Sequence, residues 1–209
     1  IYGAGGFGRE VACMIKRINA KDPTWNLVGF FDDNQGLWGT CNEYGMVLGG
    51  LRELNGWNKE LSVVVGIGNP DVVKRIIAGI VNVCVSFPNI LDPDVRIMDD
   101  GNYSIGKGNV FASGCMISIA VKVGDFNIFN NDTVLGHDAS IGDYNSFMPN
   151  VNISGGVVIG DGNFFGVKST VLQYLKVGNG VKLGANSLLM RNAKDGLLYL
   201  GVPAKKLDI

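Results

Sequence analysis

The sequence holds one histidine, His137, and six prolines in 209 residues. Its four cysteines, Cys13, Cys41, Cys84 and Cys115, never approach Cys-x-x-Cys spacing. That pattern gives no zinc-binding pair and no disulfide framework of a small secreted domain. The thiols read as reduced, which suits the cytoplasm. No apolar run approaches the ~20 residues that span a bilayer. No secretory leader is visible. Charge of either sign is not in excess: 18 basic and 19 acidic residues leave a net of −1. That balance offers no footprint for nucleic acid or an anionic membrane.

Glycine, by contrast, is abundant. There are 31 glycines, about 15% of the chain against a usual share of roughly 7%. No collagen period or low-complexity tract accounts for them. They mark many turns, and therefore many short strands.

The chain divides into two halves with different periods. Ile1-Tyr2 reads as the end of a strand, and Gly3 to Gly8 as a tight turn. The pattern predicts a helix from Arg9 to about Ile18 and a strand from Leu27 to Phe31, closed by Asp32-Asp33. A short helix is expected over Leu51 to Trp57, and a strand over Leu61 to Val65. A helix from Asp71 to about Ile80 and a fourth strand over Val83 to Phe87 complete the half. Apolar strands alternating with helices imply a parallel sheet covered on both faces.

From Ile105 to Leu189 every sixth residue is apolar, through all fifteen positions. At 46% apolar content chance would produce this on the order of once in 100,000. A longer period overlies the short one. Phe111, Phe129, Phe147 and Phe165 are 18 apart, as are Gly106, Gly124, Gly142, Gly160 and Gly178. Asn109, Asn127, Asn145 and Asn163 keep the same spacing. Eighteen is three sixes, which describes a triangular parallel β-helix with one short strand per face. The phenylalanines then form an internal ladder, and the glycines and asparagines recur at a corner that calls for positive φ. Residues 88 to 104 are expected to form an irregular first coil. A β-sandwich or barrel would not hold so strict a register.

The repeat resembles that of the hexapeptide-repeat acyltransferases, and Gly201-Val202-Pro203-Ala204-Lys205-Lys206 resembles their closing segment. The resemblance implies a left-handed helix and a homotrimer. In the first half, Ile1 to Glu10 (IYGAGGFGRE), Val28 to Asp33 (VGFFDD) and Gly66-Ile67-Gly68-Asn69 resemble the sugar acyltransferases of the sialic acid O-acetyltransferase type. That family also holds N-acetyltransferases of nucleotide-linked 4-amino sugars. The resemblance covers the whole chain. It implies a Rossmann-like nucleotide-sugar-binding domain at 1–87 and a β-helix acyltransferase domain at 88–209 with a C-terminal tail.

His137 lies two residues after an inward position and precedes Asp138. An imidazole suits proton abstraction from an amine or hydroxyl, and a carboxylate beside it orients the ring. On the residues alone a surface histidine without a role is the plainer reading; the resemblance implies a general base followed by an acid. The 18-residue period stacks Gly155 on His137. Its side-chain-free backbone N–H is a candidate donor to a thioester oxyanion. The resemblance implies acetyl-CoA as co-substrate and no metal. Ser146, Gly155, Lys168, Gly184, Ala185 and Lys205 are its candidate contacts, with Lys182 and Lys206 beside them. Gly3, Gly5, Gly6, Phe7 and Gly8 read as a diphosphate-binding turn at a helix N-terminus. Asp32, Asp33, Gly68 and Asn69 would flank the base and ribose. A tight strand-to-helix turn without a ligand is the competing reading of those glycines.

N-acetylation of a nucleotide-linked 4-amino sugar is the expected activity, with O-acetylation of sialic acid or another sugar as the alternative. Other classes are an NAD-binding enzyme or a non-catalytic scaffold carrying a β-helix. The zinc-dependent carbonic anhydrases built on the same helix need three histidine ligands, and this chain has one.

Overall fold

The computed structural model describes residues 1–207. Its first part is a small parallel sheet with Tyr2 at the centre. Tyr2 bridges Phe31 on one side and Val65 on the other, both parallel. Phe30–Phe31 pairs in parallel with Gly45–Gly49, and Leu61–Ser62 with Val85–Ser86. In chain order the strands run third, second, first, fourth, fifth, the order of half a doubly wound fold. Ligands of such sheets bind beyond the carboxyl ends of the strands, where the order reverses. The Gly3–Gly8 turn, Asp32-Asp33 and the Gly66–Asn69 loop all follow those ends.

Three helices flank the sheet: α1 (Gly6–Lys21), α2 (Leu51–Asn55) and α3 (Pro70–Gly79). Helix α1 buries Val11, Ala12, Met14 and Ile15 on one face. It starts three residues before the expected Arg9, because the first helical turn tolerates glycine. Asn69 caps α3, its Oδ1 accepting from the backbone N–H of Asp71 at 3.0 Å and Val72 at 3.4 Å. The strands are shorter than their apolar runs. The hairpin of Cys41–Asn42 and Gly45–Gly49 was not anticipated, since its glycines and polar residues hide the period of two.

The second part is the triangular solenoid, a left-handed parallel β-helix. Its first face stacks Ile90–Leu91, Val110–Phe111, Ile128–Phe129, Ser146–Phe147, Phe164–Phe165, Lys182–Leu183 and Leu198–Gly201. The second stacks Arg96–Ile97, Met116–Ile117, Val134–Leu135, Asn152–Ile153, Thr170–Val171 and Leu188–Leu189. The third stacks Tyr103–Ile105, Val121–Val123, Ser140–Ile141, Val158–Ile159 and Lys176–Val177. Every pair of adjacent coils from Ser104 to Leu183 keeps an 18-residue register. The first coil is more regular than expected. Arg96–Ile97 and Ile90–Leu91 pair with the coil above, both at an offset of 20.

All fifteen inward positions are buried except Ile105, which is half-buried at the open end of the stack. Phe111, Phe129, Phe147 and Phe165 stack face to face with centroids 4.3, 4.8 and 4.6 Å apart. The asparagine ladder is buried too. The Asn127 Oδ1 accepts from the Asn145 backbone N–H at 2.8 Å and from its Nδ2 at 3.0 Å. Asn145 does the same for Asn163 at 2.9 and 2.8 Å.

Two corner expectations need correction. Neither the asparagines nor Gly106, Gly124, Gly142, Gly160 and Gly178 have positive φ. Positive φ falls two residues after each of these glycines, at Gly108, Phe126, Tyr144, Gly162 and Gly180. The ladder glycines are required by proximity: a Cβ on Gly124 would lie 2.1 Å from the Asp143 Oδ1 and 2.8 Å from the Gly142 carbonyl oxygen.

The first part packs on the first face of the solenoid. Val11 and Ile15 share a core with Ile90, Val110 and Ala112, and Val73 and Ile76 share one with Phe126 and Ile128. Arg17 of α1 donates to the buried carboxylate of Asp92 at 2.9 Å and also pairs with Asp94. Lys74 of α3 lies over the Tyr144 ring, 5.6 Å from its centre.

Candidate active site

His137 sits at the corner joining the second and third faces. Its carbonyl accepts the Gly156 N–H at 2.8 Å, and the Asp138 N–H donates to Ile119 at 3.0 Å, so both neighbouring coils hold this turn. Asp138 has φ 58°, a conformation Asp tolerates better than most residues. Its Oδ2 lies 2.8 Å from the His137 Nδ1. A carboxylate can only accept, so in the neutral ring Nδ1 carries the proton and Nε2 holds the lone pair. Both side chains are more than half exposed, at 51% and 65%. The Nε2 is therefore open to an arriving molecule.

The ring lies flat on Gly155. A Cβ there would fall 2.4 Å from Nε2 and 2.5 Å from Cε1. The Gly155 carbonyl accepts from Tyr174 at 3.0 Å, while its N–H meets no acceptor among the described residues. An accessible imidazole and an unspent donor thus share one corner.

The glycine turn separates into two kinds of residue. Gly3 (φ 105°) and Gly8 are demanded by packing; a Cβ on Gly8 would lie 1.9 Å from the Gly3 carbonyl oxygen. Gly5 and Gly6 meet nothing within 4 Å. Their lack of side chains is not explained by the fold, and it leaves the N-terminus of α1 bare. Gly5 offers that helix no side-chain cap, and its first turn holds no acid. Backbone N–H groups and the helix dipole there suit an anion. A cleft of about 390 Å³ lies against this end, lined by Ala4, Gly5, Gly6, Arg9 and the hairpin residues Thr40 to Asn42.

Asp32 and Asp33 adjoin this turn. The Asp32 carboxylate accepts from the N–H of Ala4 at 2.8 Å and of Asn34 at 2.9 Å. Tyr2 donates its hydroxyl to Asp33. Burial, then the Asp33 carboxylate, push the Tyr2 phenol above its usual range. Both acids therefore organise the strand ends. Phe7 and Gly68 line a second cavity of about 240 Å³ with Gly6, Glu10, Ile128, Asn130 and Met148. Gly68 and Asn69 line a third, of about 470 Å³, with Met148, Phe164 and Lys182. Met148 and Asn130 carry no recognisable motif, and Glu10 only closes the glycine-rich segment; the face-to-face packing of the two parts brings them together.

The remaining candidates are dispersed. Lys168 (φ 58°), Gly184 and Ala185 share the corner between the first and second faces. Lys205 lies on Ala204–Leu207, which pairs antiparallel with Leu198–Gly201. Ser146 is buried on the first face, beneath the N-terminal part. The fold thus does not bring Ser146 to the His137 of its own chain, because successive faces of a triangle point apart. Among the described residues no cluster of three His, Cys, Asp or Glu side chains could hold a metal ion. No helix among them is long and apolar enough to cross a membrane.

No curated protein matches this sequence. Solved structures do. The acetyltransferase domain of PglB from Neisseria gonorrhoeae, in complex with acetyl coenzyme A, is 25% identical with a TM-score of 0.87; the match covers 99% of this chain and 97% of that one. WeeI from Acinetobacter baumannii is 24% identical over 99% and 97% of the two chains, with a TM-score of 0.87. A variant of perosamine N-acetyltransferase from Caulobacter crescentus, in complex with CoA and GDP-perosamine, is 23% identical over 100% and 95%, with a TM-score of 0.84. Residues 1–80 match the PglD N-terminal domain family, so the cleft at the bare end of α1 lies in a part similar to PglD N-terminal domains, packed on a β-helix similar to that of these acetyltransferase structures.

Proposed function

We propose that this protein transfers the acetyl group of acetyl-CoA to the amine of a nucleotide-linked amino sugar. The observation that carries the reading is the His137 ring, oriented by Asp138 and seated on Gly155. In the reaction the amine nitrogen attacks the thioester carbonyl, and the His137 Nε2 accepts the proton it loses. The Gly155 N–H stabilises the negative charge that develops on the carbonyl oxygen. The C–S bond then breaks, and CoA leaves with the proton as the free thiol. No covalent intermediate is required.

Residues 1–87 hold the nucleotide-sugar in this reading, its diphosphate on the amides of Gly5, Gly6 and Phe7. Residues 88–207 carry the acyl transfer; the expected tail also includes 208 and 209, which lie outside the described residues. The two sites cannot meet within one chain. The nucleotide part covers the first face, whereas His137 stands at the opposite corner. A second copy must supply the facing corner, and three copies around an axis complete three equal sites. Lys168, Gly184, Ala185 and Lys205 then approach the pantetheine and phosphates from the neighbouring copy. Four unpaired cysteines fit the reducing cytoplasm.

The test is a panel of UDP-, GDP- and dTDP-linked amino sugars, plus free sialic acid, each with acetyl-CoA and scored by released thiol. Acetylation of an amino sugar that is lost in His137→Ala supports the reading. Transfer only to sialic acid would favour O-acetylation. Transfer to none of them would remove the assignment.

A further inference from the structure

A groove runs along α1, between that helix and the corner joining the first and second faces of the solenoid. Its upper part is the cavity lined by Gly6, Phe7, Glu10, Gly68, Ile128, Asn130 and Met148. Its lower part, of about 210 Å³, is lined by Glu10, Cys13, Arg17, Asp92, Ser113 and Asn131, among others. Glu10 belongs to both. It is the only charged residue lining the upper cavity.

The charges around Glu10 are already matched. Arg9 pairs with Glu43 at 3.3 Å on the other side of the helix. Two turns on, Arg17 is held by Asp92 and Asp94. The Glu10 side chain forms no hydrogen bond and no ion pair among the described residues. Glu10 is exposed in an open groove, and its unpaired carboxylate is free to pair with a cationic ligand that enters there.

We propose that Glu10 binds the ammonium group of the acceptor sugar and so sets the preference for amino over hydroxyl sugars. The proposal rests on the function argued above. Glu10 lies one helical turn below Gly6, about 5–6 Å along the axis. A hexose attached to a diphosphate at Gly6 spans about that length from its anomeric oxygen to a substituent across the ring, so an amine there meets Glu10. The amine enters charged, pairs with the carboxylate, and releases one proton to solvent before attack; the second proton, lost as the amide forms, goes to the His137 Nε2.

The experiment compares wild type, Glu10→Gln and Glu10→Asp by calorimetric binding and by acetyl transfer. The probes are a nucleoside-diphosphate 4-amino-4-deoxyhexose, its 4-hydroxy counterpart and the bare nucleoside diphosphate, using the nucleotide the wild type accepts in the panel above. Glu10→Gln should bind the amino sugar about tenfold more weakly and the other two probes within twofold of wild type. Glu10→Asp should recover part of the loss. The wild-type preference for the amino sugar should fade as pH rises through the titration of the amine, while Glu10→Gln shows no such trend. Equal losses on all three probes, or no loss on the amino sugar, overturn the role of Glu10 alone. A wild-type protein that acetylates no amino sugar overturns both this role and the function it rests on.

Discussion

The His137 ring rests on Gly155 so closely that one added methyl group would lie 2.4 Å from its Nε2. Gly155→Ala must therefore push the imidazole off its seat while leaving the coil hydrogen bonds in place. His137→Ala should lower kcat by about 10²–10⁴-fold with little change in KM for the sugar. Gly155→Ala should show a loss of the same kind, with circular dichroism and Tm close to wild type. A Gly155→Ala protein with unchanged kcat would dissociate the stacking from the chemistry.

The open space around Gly6 predicts a second outcome. Gly6→Asp fits sterically, since nothing lies within 4 Å of its Cβ, and an acid in the first turn even suits the helix dipole. The fold should hold or gain slightly in Tm. The added charge should raise the KM for the nucleotide-sugar about tenfold or more, and leave that for acetyl-CoA unchanged. Steady-state kinetics with each substrate varied in turn separates the two.

Much of this site was legible before any coordinate. The six- and 18-residue periods gave the solenoid, its phenylalanine core and the stacking of Gly155 on His137, because a solenoid turns sequence separation into vertical neighbours. The part the periods missed is what lies between the two halves. Glu10, Asn130 and Met148 are 120 and 138 residues apart along the chain, and no local pattern links a helix to the coil it packs on. The ladder glycines were misread for a related reason. A strict glycine period fits positive φ and close approach equally well, and here the neighbouring coil's carboxylate decides for close approach.

The interior ladders make stability predictions. Asn145→Ala would leave the Asn163 backbone N–H and Nδ2 without their acceptor in a buried site. A loss of about 3 kcal/mol is expected, or roughly 10 °C in Tm. Phe147→Ala empties the space between two rings centred 4.8 and 4.6 Å away and should cost about 3–5 kcal/mol. Thermal unfolding followed by circular dichroism measures both.

The cysteines should differ sharply in reactivity. Cys41 is exposed and Cys115 is buried, and burial pushes the Cys115 thiol up to about 12. At pH 8 iodoacetamide should modify Cys41 about 100-fold faster than Cys115 in the native protein, as mass spectrometry of timed samples would show. A thiol raised in the fold favours the folded state below its ordinary value of 9.0. That contribution should decline as pH rises from there toward 12. Cys115→Ser should flatten this alkaline loss.

The clamp of Arg17 on Asp92 also works as a gauge. It ties the middle of α1 to the first coil, while Lys74 and Tyr144 tie α3 to a later one. With two anchors on separate coils, one from each helix, the N-terminal part is held against sliding along the prism. The distance from the proposed phosphate site at the N-terminus of α1 to the groove beside Glu10 is then a fixed length. Acceptors would be sorted by reach as well as by charge: a sugar with its amine one position nearer or farther from the diphosphate falls short of, or overruns, the mark.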